Sequence, residues 1–142
     1  MARAAHWNGV EGYLQKANDE ICLIVQAETK QAIDNFEEIV AIDGVHGVFI
    51  GPSDLSASMG YVGNPGHPEV VAAVEKGIEI IINAGKAAGV LAVDKTLAEG
   101  YAAKGANFVG VGVDVSILAT SVRNLANQFC SIDKTSKIIA GY

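Results

Sequence analysis

Apolar residues gather along the chain in four short runs: "ICLIVQ" (21–26), "GVFIG" (47–51), "GVLAV" (89–93) and "FVGVGV" (108–113). None alternates apolar with polar positions, which is the pattern of strands covered on both faces within a parallel sheet. Between the runs the period becomes helical. "TKQAIDNFEEIVAI" sets Ile33, Phe36, Ile39 and Val40 on one face with acids opposite, which predicts one helix over that stretch. "HPEVVAAVEKGIEIIINAGKAAG" has Pro68 at a helix start and Gly85 or Gly89 near its stop. "KTLAEGYAAKG" supplies Leu97, Tyr101 and Ala102, with Gly105 as the terminating residue. "DVSILATSVRNLANQF" starts at Asp114 as an N-cap and carries Ile117, Leu118, Val122, Leu125 and Phe129 as its apolar face. A further helix around "VEGYLQKAND" precedes the first run.

The predicted order α-β-α-β-α-β-α-β-α is a repeated βα unit, which implies right-handed crossovers and a parallel sheet. Four such units make either an open doubly wound sheet or half of an eight-stranded barrel, and a lone half would leave edges and apolar surface uncovered. Residues 52–66, "PSDLSASMGYVGNPG", read as one long loop at the carboxyl end of a strand, where α/β proteins keep their function. Beyond about residue 130, "SIDKTSKIIAGY" loses its period, so 1–130 is expected to be the folded unit and 131–142 a tail or arm.

Length and charge narrow the class. The chain has 142 residues, half of them hydrophobic, with a mean hydropathy of +0.29, so it can bury a core and is not disordered by composition. A net charge of −6 without a Lys/Arg run argues against nucleic acid and anionic membranes as partners. The N-terminus lacks the apolar segment of a secretory signal, and runs such as "IEIIINA" are too short to span a bilayer. Cys22 and Cys130 show no metal or redox spacing, and Cys22 is expected as a buried free thiol in a reducing compartment. A cytoplasmic location follows as the expectation.

Candidate chemistry sits at the strand ends. Gln26 and Glu28 close the first run, and alternation sends both to the same side. The second run ends in Gly51-Pro52-Ser53-Asp54, so neighbouring parallel strands would aim Glu28 and Asp54 into one crevice. Two bare carboxylates there raise each other's pKa unless a cation neutralises them, and oxygen ligands suit Mg²⁺ or Mn²⁺. The competing reading is that both acids cap the helices that follow them. The Ser53 and Asp54 backbone N–H groups, at a helix N-terminus, offer an anion site for a carboxylate or phosphate. The histidines do not cluster. His46 lies at the far end of its strand, and His67 reads as a cap or surface residue.

The stretches "YLQKANDEICLIVQAET", "GVHGVFIGPSDLSASMGYVGNPGHPEV" and "GANFVGVGVDVSILA" closely resemble the HpcH/HpaI aldolase family over nearly residues 1 to 130. The resemblance implies a (β/α)₈ TIM barrel of the phosphoenolpyruvate/pyruvate-domain type, of which this chain supplies the C-terminal half, four βα units. It implies a lyase that performs metal-dependent (class II) retro-aldol cleavage of a 4-hydroxy-2-oxoacid to pyruvate and an aldehyde. Carried over by motif, Glu28 and Asp54 would hold a divalent metal (Mg²⁺, Mn²⁺ or Co²⁺). Gln26 would face pyruvate, and the amides of Ser53 and Asp54 would hold its carboxylate. Such an ion acts as a Lewis acid toward the charge that develops when the C–C bond breaks. Family members are nearly twice this length, and their histidine base and substrate-binding arginine lie in the first half, so no catalytic base is expected in this chain. It would pair with a separate N-terminal half or self-associate to cover its sheet edges. The alternative is a non-catalytic remnant that still binds metal or pyruvate.

Overall fold

The alternation of apolar runs and helical stretches is realised as a four-stranded parallel sheet flanked by helices. The structure is a computed structural model that describes residues 2–129; the arm expected over 131–142 lies outside the described residues, as does Cys130. After a short 3-10 segment, Arg3–Asn8, the order is α1 (Tyr13–Glu20), β1 (Leu23–Ala27), α2 (Lys30–Asp34), α3 (Phe36–Ala41) and β2 (Val45–Ile50). Then come α4 (Pro52–Ser58), α5 (Pro68–Asn83), β3 (Ala87–Leu91), α6 (Lys95–Ala103), β4 (Phe108–Gly110) and α7 (Asp114–Phe129). The strands pair in sequence order, β1-β2-β3-β4, all parallel. This is the α/β arrangement of a partial TIM barrel, with β1 and β4 as open edges.

Local chemistry explains the boundaries. Pro68 opens α5 where its missing N–H costs nothing, and the His67 ring nitrogen accepts from the Glu69 N–H at 3.3 Å. Gly85, at φ +72°, ends that helix in the left-handed region that a side chain disfavours. Asp94 caps α6 by accepting from the Leu97 N–H at 2.9 Å. The helix predicted over 29–42 is instead two, because Asn35 leaves the helical range (φ −100°, ψ 13°) and serves as the end of α2 and the start of α3. Part of the loop predicted over 52–66 is helical: Pro52–Ser58 form α4, with Leu55 and Ser56 buried.

Strand limits shift as well. β2 and β3 each begin two residues earlier than their apolar runs, while β4 ends at Gly110, and Val111 is exposed. The early start of β2 is a bulge. Leu23 pairs with Val45 and Ile24 with Gly47, leaving His46 as the extra residue, whose Nδ1 accepts the Leu23 N–H at 3.1 Å. Lys86 fastens the same end of the sheet by donating to the Ile42 and Val45 carbonyls at 2.8 and 2.6 Å.

One face of the sheet is covered. Ala27, Val48, Ile50, Ala88 and Val90 are buried together with Phe36, Val40, Val70, Val74, Ile78 and Ile81 of α3 and α5. Each of the Val, Ile and Phe side chains contributes about 1.5–3 kcal/mol through burial. Alternation puts Gln26, Phe49, Gly89 and Phe108 on the other face, where the Phe49 and Phe108 rings meet at 5.6 Å above Gly89. A Cβ at Gly89 would collide with both rings. Two expectations of burial fail. Cys22 is exposed, because it precedes β1 at the open edge. The predicted apolar face of α7 is exposed from Ile117 to Phe129, since no described element packs on it. No helix among the described residues is long and apolar enough to cross a membrane.

Candidate active site

The C-terminal ends of β1 and β2 bring Gln26 and Glu28 together beside Gly51. Gln26 and Glu28 lie on one side of β1, and the Gln26 Nε2 donates to Glu28 Oε2 at 2.8 Å. Both lean over Gly51, the residue that follows β2. A Cβ placed there would lie 3.2 Å from the Glu28 Cβ, 3.3 Å from its Oε2 and 3.5 Å from the Gln26 Nε2. The two strand ends are joined directly by the Gly51 N–H, which donates to the Ala27 carbonyl at 3.1 Å.

Asp54 stands three residues past Gly51 in the first turn of α4, about 5 Å along the helix axis. It shares a helix face with Ser58, four residues on. The Ser58 hydroxyl accepts the Lys30 N–H at 3.0 Å, so this face of α4 meets the start of α2, two residues past Glu28. The loops carrying the two carboxylates are therefore neighbours.

Neither acid caps a helix. Thr29 caps α2, its hydroxyl accepting from the Ala32 N–H at 3.1 Å, and Gly51 at the head of α4 makes no side-chain cap bond. The Ser53 and Asp54 N–H groups lie in the first turn of α4, where no preceding helical turn supplies i−4 carbonyls. The helix is further braced by the Ser56 hydroxyl, which donates to the Ser53 carbonyl at 2.7 Å.

The local charge is uncompensated. The ion pairs among the described residues are Lys30–Asp34, Lys95–Glu99 and Lys104–Glu75, none of which reaches Glu28 or Asp54. Two carboxylates and a carboxamide form an all-oxygen acceptor set, which is what a hard divalent ion takes. No group of three His, Cys, Asp or Glu gathers among the described residues, so the protein would provide two carboxylates and leave the other positions to substrate and water. The residues present fit a divalent ion on those terms.

Neither His46 nor His67 belongs to this site. His46 lies at the opposite end of β2 in the bulge, and His67 caps α5 and stacks on Tyr61 with ring centroids 3.6 Å apart. Hydrogen bonding to Glu69 holds the Tyr61 phenol above its ordinary value, helped by desolvation and by the Glu69 charge. Sequence reasoning missed Gly51 as a spatial element of the site and Ser58 as the tie between its two loops. The Gly-Pro pair was a signal of a corner, but the free volume over Gly51 depends on the neighbouring strand.

The chain and its fold resemble known proteins. The family model for HpcH/HpaI aldolase/citrate lyase matches residues 3–121. A hydroxypyruvate/pyruvate aldolase of Pseudomonas aeruginosa is 54% identical over 129 residues, which are 91% of this chain and 48% of that protein. A 4-hydroxy-2-oxo-heptane-1,7-dioate aldolase of Shigella sonnei is also 54% identical over 129 residues, covering 49% of its length. Among solved structures, an HpcH/HpaI aldolase/citrate lyase family protein from Burkholderia cenocepacia superposes with a TM-score of 0.80 at 37% identity, over 90% of this chain and 50% of that one. An HpcH/HpaI aldolase from Desulfitobacterium hafniense gives 0.77 at 25% identity, over 93% and 53%. The chain spans about half the length of the curated relatives it matches.

Proposed function

The chain belongs to the HpcH/HpaI aldolase/citrate lyase family, and from that premise we propose that it carries the metal- and pyruvate-binding part of a class II aldolase site. The reaction is the retro-aldol cleavage of a 4-hydroxy-2-oxoacid to pyruvate and an aldehyde. The observation that supports this reading is the Ser58–Lys30 hydrogen bond, which ties α4, the helix that carries Asp54, to the segment just after Glu28, with no ion pair reaching either acid among the described residues.

Within this reading Glu28 and Asp54 hold a divalent ion, Mg²⁺, Mn²⁺ or Co²⁺. When bound, that ion supplies Lewis acidity to the keto and carboxylate oxygens of the 2-oxoacid. The chain's own groups orient the substrate. The Ser53 and Asp54 N–H groups donate to its carboxylate, and the Gln26 carboxamide, anchored on Glu28, borders the same space. The 4-hydroxyl proton must leave as the C3–C4 bond breaks, and neither His46 nor His67 stands at this site to take it. The base therefore comes from outside the described residues, through pairing with an N-terminal half-barrel or a second copy that also covers the open sheet edges. A cytoplasmic setting completes the reading. The placement of His46 and His67 away from these residues favours a second reading, a non-catalytic half that retains metal and pyruvate binding.

The test is pyruvate release from a 4-hydroxy-2-oxoacid with added Mn²⁺ or Co²⁺, using the chain alone and mixed with the N-terminal half of a relative. Release in the mixture that Asp54→Asn removes supports the aldolase reading. No release above background in either arm contradicts it and leaves the binding-only reading.

A further inference from the structure

Glycine at the end of β2 has no conformational excuse. Gly51 sits at φ −101°, ψ 90°, an extended geometry that residues with side chains adopt freely, and it heads a helix where Ser, Thr, Asn or Asp would add a cap bond. Its lack of a Cβ therefore has a spatial meaning, and the neighbours say which. Around Gly77 the missing side chain makes room for Phe36 and Ile50 of the core, and around Gly89 for the Phe108 and Phe49 rings on the opposite face, so those glycines serve apolar packing. Around Gly51 the space is taken by the Glu28 Cβ, the Glu28 Oε2 and the Gln26 Nε2.

We propose that Gly51 is a positioning residue for the Glu28 carboxylate. Its bare backbone lets the Glu28 side chain lie across the end of β2, while the Gln26 amide donates to Oε2 at 2.8 Å and fixes which oxygen turns toward the strand. Glu28 Oε1 is thereby the oxygen left for a ligand. An alanine at 51 would press on the Glu28 stem at 3.2 Å and its carboxylate at 3.3 Å, closer than ordinary van der Waals contact, and would shift the side chain by a few tenths of an ångström. Groups that orient a metal ligand without touching the metal commonly change its affinity by about 10–100-fold when altered. The inference rests on the reading of Glu28 as a metal ligand.

The experiment is a Mn²⁺ titration followed by the electron paramagnetic resonance signal of the free ion, with the metal-free melting temperature of each variant recorded alongside. The variants are Gly51→Ala, Gly51→Val, Glu28→Gln, and Gly100→Ala as a helical control whose added Cβ meets nothing within 4 Å. The expected result is Mn²⁺ binding weakened about tenfold by Gly51→Ala and more by Gly51→Val. Gly100→Ala should bind as the native chain does, and Gly51→Ala should melt without metal as the native chain does. Native binding by Gly51→Ala alongside lost binding by Glu28→Gln would overturn this inference while sparing the metal reading. Equal binding by the native chain and Glu28→Gln would overturn the metal reading and this inference with it. Should Gly51→Val fail to fold, the alanine variant alone decides.

Discussion

Helices α5 and α7 have the same length, 16 residues, and both carry an apolar stripe. In α5 that stripe is extinguished from solvent: Val70, Val74, Ile78 and Ile81 are fully buried against the sheet and α3. In α7 the stripe of Val115, Leu118, Val122, Leu125 and Phe129 is exposed throughout, with Leu118 at 66%. The spacing of the second stripe, three then four residues, is a seam that another helix can meet. An amphipathic pattern states that a face is to be covered; it does not state by what. The covered helix stands behind β2 and β3, and Gly51 of the candidate site follows directly from β2, whereas Gln26 and Glu28 come from the end of the open-edge strand β1.

The sharpest way to break this contrast is paired truncation. Ile78→Ala should cost about 2–5 kcal/mol in urea unfolding, as a buried residue leaving a cavity. Leu118→Ala on the exposed stripe should stay within about 0.5 kcal/mol. A loss at Leu118 comparable to that at Ile78 would mean that α7 is covered in solution.

A smaller effect tests the covered side from within. Tyr101 of α6 is buried, its hydroxyl has no hydrogen-bond partner among the described residues, and burial, with the charge of Glu75, pushes its pKa up to about 12 from 10.0. An unpartnered buried hydroxyl costs about 1–3 kcal/mol, so Tyr101→Phe should leave stability unchanged or raise it by up to about 1 kcal/mol. The pH dependence has a definite sign. The folded state holds this proton more tightly than the unfolded chain, so the contribution is whole below pH 10 and is lost as pH rises toward 12. Thermal melts from pH 9 upward should therefore fall more steeply for the native chain than for Tyr101→Phe. Parallel curves would indicate a phenol that reaches solvent or a partner.

Much of this was legible in the residues. The four unalternating apolar runs announced a parallel sheet, and Pro68 and Gly105 marked helix ends by chemistry that acts locally. His67 was readable as a cap because a ring nitrogen two residues before Glu69 can reach its N–H. Strand limits were less legible, because the bulge at His46 depends on what β1 offers opposite it. Helix α4 was hidden in a stretch rich in Gly, Ser and Pro, where Leu55 is buried only by tertiary packing. In the site, the alternation that put Gln26 and Glu28 on one side is a local property and was visible. The seat over Gly51 and the Ser58–Lys30 tie join separate loops, so only the fold reveals them.

The central claim is that Glu28 and Asp54 together hold a divalent ion where a 2-oxoacid binds. Mn²⁺-induced relaxation of the pyruvate methyl protons tests it most directly, since the effect requires ion and pyruvate on the same protein within a few ångströms. The account predicts a strong enhancement with the native chain that falls to the protein-free value in both Glu28→Gln and Asp54→Asn. Enhancement that persists in both variants would contradict it.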